Sequence, residues 1–203
     1  MLQSASMEHE TRESARNPEL KSHAKRLELI GKIADILLIE GVAQIPLRDL
    51  AKRLGTSDRM LLYYFEDKAD LVHAAIVEVS SRLGAMLGTS FSDDKRTPAE
   101  VLSTTAQLLA SPAFSPFMNV WADISARGGR GEEPFRTIAR QSVASWLEWL
   151  DTRLAVPDAA SRRSVASALL VVVEGVRLLE SAAPGAASGV TEFLSGSFAT
   201  PNR

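Results

Sequence analysis

Between Leu47 and Leu71 the chain reads LRDLAKRLGTSDRMLLYYFEDKADL, and the turn in its middle restricts the fold more than any other stretch. Leu47, Leu50, Ala51 and Leu54 recur at helical spacing, with Arg48, Asp49, Lys52 and Arg53 on the other side. Gly55 follows where a left-handed residue ends a helix without steric cost. Ser57 is placed to cap a second helix with its hydroxyl, and Asp58 suits that helix's first turn. Ala51 and Gly55 stand four apart, as expected where a small residue lets two helices cross closely and glycine makes the bend. The spacing predicts a helix-turn-helix. Its second helix is short: Tyr63, Tyr64 and Phe65 end it, and Lys68 opens a third helix behind Asp67 as cap.

An amphipathic helix precedes this motif. Leu27, Ile30, Ile33, Ala34, Leu37 and Leu38 recur at three- and four-residue steps between Lys25 and Glu40, and Gly41 stops the run. The three helices are expected to bury Leu27, Ile30, Leu37, Leu50, Leu61 and Phe65 together, leaving the second motif helix exposed for a groove. On these residues, 25 to 71 resemble the DNA-binding domain of the TetR family of transcriptional regulators. Gly41, Arg48 to Ala51, Leu54 to Ser57 and Leu61 to Leu71 carry the resemblance, about a quarter of the chain.

Composition narrows the alternatives. The 203 residues are 45% apolar, enough for one large or two small domains with real cores. No run of eighteen apolar residues occurs and the N-terminus has no apolar leader, so a soluble, cytoplasmic protein with no membrane partner is expected. With no cysteine, disulfides, thiolate metal sites and thiol nucleophiles are excluded. The net charge is −2, and residues 20–75 hold nine Lys/Arg against eight Asp/Glu. Binding to DNA phosphates would therefore depend on where Arg48, Lys52, Arg53, Arg59 and Lys68 are placed.

The rest of the chain reads as helix throughout. Residues 1–22, polar and interrupted by Asn17-Pro18, are expected to form a flexible arm, followed by a DNA-binding domain at 23–70 and a ligand-binding and dimerisation domain at 71–203. A long helix runs from Lys68 with Leu71, Val72, Ala75, Ile76, Val79, Leu83, Met86 and Leu87. Pro98 starts another, Phe114 to Ala126 gives a short one, and Glu132 or Glu133 opens a longer one to Leu154 with Val143 and Trp146 inward. Two more span Ala159 to Ser181 and Val190 to Phe198. The expected fold is all-α, a three-helix helix-turn-helix domain followed by a TetR-like helical bundle. In the family the resemblance points to, the last two helices pair with their copies across a two-fold axis, which implies a homodimer here. Ala166, Ala168, Leu169, Val172, Val173 and Val176 agree, since they put apolar surface on more than one side of their helix.

The resemblance also assigns roles. Thr56, Ser57, Arg59 and Met60 would lie at the exposed start of the recognition helix, where side chains reach base edges or flanking phosphates. Arg59 suits guanine, with which a guanidinium pairs bidentately. Tyr63, Tyr64 and Lys68 match the phosphate-contacting stretch, and Arg48 is a further backbone contact. Ile45 stands where the family usually carries a capping Thr or Ser, and Met60 and Leu62 where Thr and Tyr are common, so affinity and operator sequence should differ from the family pattern. An apolar pocket for an inducer, a small molecule not identifiable from sequence, would draw on Phe114, Phe117, Met118, Trp121 and Trp146, with Asp123, Arg140 or Glu174 as its polar contact. The partners implied are a double-stranded DNA operator, a second copy of the chain and that inducer, with no cofactor. Enzymatic chemistry finds no support: His9, His23 and His73 have no metal-ligand spacing, and no nucleophile-elbow, P-loop or dinucleotide motif is present. The alternative reading is an all-α scaffold or interaction protein without operator binding, which would leave the Gly55–Ser57 turn without a purpose.

Overall fold

Helix signals in the sequence become helices at nearly every expected position. The structure, a computed structural model, describes residues 18–42, 46–91 and 94–199. Nine helices lie among them: α1 (Pro18–Glu40), α2 (Leu47–Arg53), α3 (Asp58–Tyr64), α4 (Lys68–Ser90), α5 (Pro98–Leu109), α6 (Ser115–Gly129), α7 (Phe135–Arg153), α8 (Ala159–Ala182) and α9 (Val190–Ala199). No strand occurs among the described residues, and a single parallel bridge joins Arg96 to Leu154. The chain divides into two compact units that meet in sequence between Arg82 and Leu83.

In the first unit α1 starts at Pro18, so residues 18–22 are helical rather than part of an arm. Residues 1–17 and Ile45 lie outside the described residues. The buried face of α1 is Leu29, Ile30, Ile33, Ala34 and Leu37. Leu27 is 53% exposed, against expectation, because the inward position one turn before Ile30 is taken by Arg26 over the ring of buried Phe65. The other expected core residues, Leu50, Leu61 and Phe65, are buried.

The division between the units falls twelve residues beyond the expected boundary at Leu71, inside α4. Arg82 is the last residue of the first unit. That guanidinium meets Asp35 (2.6 Å) and Glu78 (2.8 Å) and donates to the Gly31 carbonyl (3.2 Å), tying the first part of α4 to α1. By length and composition alone α4 could cross a membrane. Its inward residues, Leu71, Ala75, Ile76, Val79, Leu83 and Leu87, nevertheless recur at three- and four-residue steps and are buried in the fold.

In the second unit α6 packs along α7, α7 along α8, and α5 against both α8 and α9. One core cluster joins Val101 and Leu102 of α5, Leu150 of α7, Leu154 and the α8 residues Ala166, Leu169 and Val173. Thr97 and Glu100 form a reciprocal capping box at the head of α5, and Asp158 caps α8 through the Ser161 N–H (2.7 Å). Helix α7 begins at Phe135, later than Glu132 or Glu133, because Glu132 is drawn into ion pairs with Arg127 (2.7 Å) and Arg130 (2.8 Å). Val143, expected inward, is 38% exposed.

Candidate nucleic-acid interface

The bend between α2 and α3 is built from backbone bonds that the sequence anticipates. Gly55 has φ +66° and its N–H donates to the Lys52 carbonyl (3.2 Å), while the Thr56 N–H donates to the Ala51 carbonyl (2.9 Å). This pair of bonds is a Schellman closure, which satisfies carbonyls that a helix end leaves without partners. A Cβ on Gly55 would meet nothing within 4 Å, so glycine is needed for its conformation and not for space. Close approach of the two helices falls instead to Ala51, 2% exposed. Ser57 is extended (φ −115°, ψ 157°) and its Oγ accepts from the Met60 N–H (3.2 Å), fixing the start of α3. Leu61 is the one buried residue of α3; Tyr64 is half-buried, and Asp58, Arg59, Met60, Leu62 and Tyr63 are exposed.

Ser57, Arg59, Met60, Tyr63 and Lys68 are exposed, as is Arg48 on α2, while Thr56 and Tyr64 are half-buried. Arg59 and Tyr63 stand four apart on α3 and so share a face. The ring of Tyr63 remains 69% exposed and meets Tyr64 edge-on at 5.0 Å. Leu62 is also exposed, at 50%. Charge is sorted within this unit. Arg53 is held by Glu40, with Nη1 2.8 Å from a carboxylate oxygen, and the guanidinium pulls that carboxyl below its usual value. Lys25 and Lys32 likewise hold Glu28, bringing its carboxyl down to about 2. Arg48, Lys52, Arg59 and Lys68 make no ion pair with any described residue. Four cations between residues 48 and 68 thus have no ion pair among the described residues, whereas Arg53 has one with Glu40.

One residue escaped the sequence reading. Arg26 Nε donates to the carbonyl of Tyr64 (3.1 Å), the last residue of α3, and its Nη2 lies 3.5 Å from Asp70 on α4. Its partners are 38 and 44 positions away in sequence, so no local spacing could have marked it.

The proposed ligand residues divide in the second unit. Phe114, Phe117 and Met118 are buried, and Trp121 and Trp146 are half-buried. Trp146 meets Trp149 edge-on at 5.9 Å, and Trp149 meets Phe91 at 4.8 Å. Arg153 lies 4.4 Å over Trp149 and Arg96 5.2 Å over Phe91. Two shallow hollows in this unit, about 450 and 420 Å3, are lined by Ala159, Ala160, Arg163, Ser164 and Ser167 and by Arg96, Ala99, Glu100, Ser103 and Thr104. None of the five aromatic and methionine candidates lines either one. Of the polar candidates, Glu174 bonds to Arg177 (3.0 Å) and Arg140 is exposed. No cluster able to hold a metal ion occurs among the described residues.

Comparison with known proteins agrees with this geometry. Residues 34–75 match the family model described as bacterial regulatory proteins, tetR family. The fold is similar to a transcriptional regulator from Rhodococcus sp. Rha1 (21% identity, 85% of this chain and 91% of that one, TM-score 0.63). It is also similar to the multidrug binding protein EbrR, determined in complex with imidazole (16% identity, 90% and 89%, TM-score 0.60). No curated protein sequence matches the chain.

Proposed function

We propose, from the match of residues 34–75 to the tetR family model, that the chain is a TetR-type transcriptional regulator and works as a homodimeric repressor of a palindromic operator, released by a small molecule bound in its second unit. One observation carries the reading: Arg59, exposed and without an ion pair to any described residue, stands beside a capped turn on a helix whose only buried residue is Leu61. Laid in a major groove, α3 offers Arg59 to a guanine edge and the apolar Met60 to a thymine methyl. Thr56, Ser57, Tyr63, Tyr64, Lys68 and Arg48 supply donors for the flanking phosphates.

Dimerisation would fall to α8 and α9. Val171, Leu178 and Leu179 on α8 and Phe193 on α9 are 71%, 62%, 50% and 74% exposed, an apolar set that the same face of a second copy would cover. A two-fold pair demands a palindromic operator, with recognition helices about one helical turn apart, roughly 34–36 Å, or more. The inducer would occupy the layer of Phe114, Phe117, Met118, Trp121 and Trp146, and the likeness of the fold to that of a multidrug binding protein is in keeping with a bound small molecule. Helix α4 contributes residues to both units and is the element through which occupancy could reach α3. Coupling of this kind is typically about 1–3 kcal/mol, roughly fivefold to 150-fold in operator affinity.

The test is a selection on random duplexes with purified protein, repeated in the presence of candidate ligands. Enrichment of an inverted repeat that weakens with one ligand is expected. A pool that enriches no motif would favour the scaffold reading instead.

A further inference from the structure

We infer that Arg26 of α1, which lies outside the helix-turn-helix, is a positioning residue that sets the tilt of α3 and thereby the protein's power to discriminate between sequences; the inference rests on the DNA-binding reading above. Helix α3 has seven residues, too few to hold its own shape or direction without tertiary support. Its first turn is fixed by the Ser57 cap and its middle by buried Leu61. The far end has carbonyls with no partner inside the helix, and there Arg26 Nε donates to the Tyr64 carbonyl at 3.1 Å. A cation at this end is also favoured by the helix dipole.

The same guanidinium makes two further contacts. Its centre lies 4.9 Å from the centroid of the Phe65 ring, and Phe65 is 2% exposed and therefore fixed. Nη2 is 3.5 Å from Asp70 Oδ1, while Asp70 Oδ2 accepts from the Glu66 N–H (3.1 Å) and the Asp70 N–H donates to Asp67 Oδ1 (2.8 Å). One planar group therefore joins α1, the end of α3 and the first turn of α4. Lysine could supply the charge but not this fork. Tyr63, Tyr64 and Lys68 flank the junction, so a shift there would move them together with the face that carries Arg59. Contacts to base edges need tighter geometry than contacts to phosphates, so loss of the tie should harm specific binding more than general binding.

The experiment measures affinity for the duplex that wild-type protein enriches and for a scrambled duplex of equal length, across a range of salt. Wild type, Arg26→Met, Arg26→Lys and Asp70→Asn are compared at a temperature where circular dichroism shows each one folded. Expected is a fall of about tenfold in the specific-to-scrambled ratio for Arg26→Met, the order known for residues sharing one bonded network. Arg26→Lys should fall between it and wild type, and the salt slope should not change. An unchanged ratio in the folded variants would make Arg26 a structural tie only and overturn the inference. So would a salt slope smaller by about one, the mark of a direct phosphate contact. Should Arg26→Met not fold, Arg26→Lys and Asp70→Asn decide by the same criteria. A wild-type ratio of one would instead remove the DNA-binding reading, and this inference with it.

Discussion

Arg59 and Lys68 are both exposed cations without an ion pair to any described residue, yet the proposed function gives them different tasks and they should fail differently. Arg59→Ala is expected to cost about 1–3 kcal/mol of discrimination at one operator position, read as a flattened preference in a competition series over single base changes. Unchanged preference would take Arg59 off the base-reading list. Lys68→Ala should weaken all duplexes alike and lower the salt slope by about one, as expected when one phosphate contact disappears. An effect confined to a single sequence would contradict that role. Arg53 illustrates why residue type alone does not decide such matters. It sits among the other cations in sequence, but Glu40 takes up its charge.

Elements were legible where their signals are local. Gly41, Gly55, Ser57, Asp67 and Pro98 each act within a few residues, and each bounds or caps a helix as the sequence indicates. The helix face turned inward is a tertiary choice, and there reading by period slipped: Leu27 and Val143 fit the apolar stripe but lie exposed. The exposed surface of α3 could be read because Leu61 is its one buried residue, whereas the tie from Arg26 spans α1 to α3 and has no local trace. Glu180 is another such case. Its carboxylate accepts from the Gly185 and Ala187 N–H groups, each at 2.8 Å, across the turn between α8 and α9, and these bonds hold its pKa below the usual 4.5. A carboxyl depressed on folding contributes stability that is fully present above its unfolded value, about pH 4.5, and is lost as pH falls through the lower folded value. Glu180→Gln should remove that acid-side dependence. Urea midpoints measured from pH 6 downward check this, and parallel curves for variant and wild type would count against it.

For the whole molecule, the proposed function requires the outward apolar residues of α8 and α9 to be covered by a second copy. Leu178→Glu is expected to leave the helical content of the chain unchanged while shifting it to monomer in sedimentation, and to abolish preference for an inverted repeat over a single half-site. A variant that stays dimeric would place the partner surface elsewhere. The pairing of Arg53 with Glu40 and of Glu28 with its two lysines has a kinetic consequence too. With a net charge of −2, the molecule would gain little from the distant field of a polyanion, and on the proposed function attraction would arise at short range from Arg48, Lys52, Arg59 and Lys68. On the proposed function, encounters turned the wrong way would not be retained, and salt should act more on how long the protein stays on a duplex than on how fast it arrives.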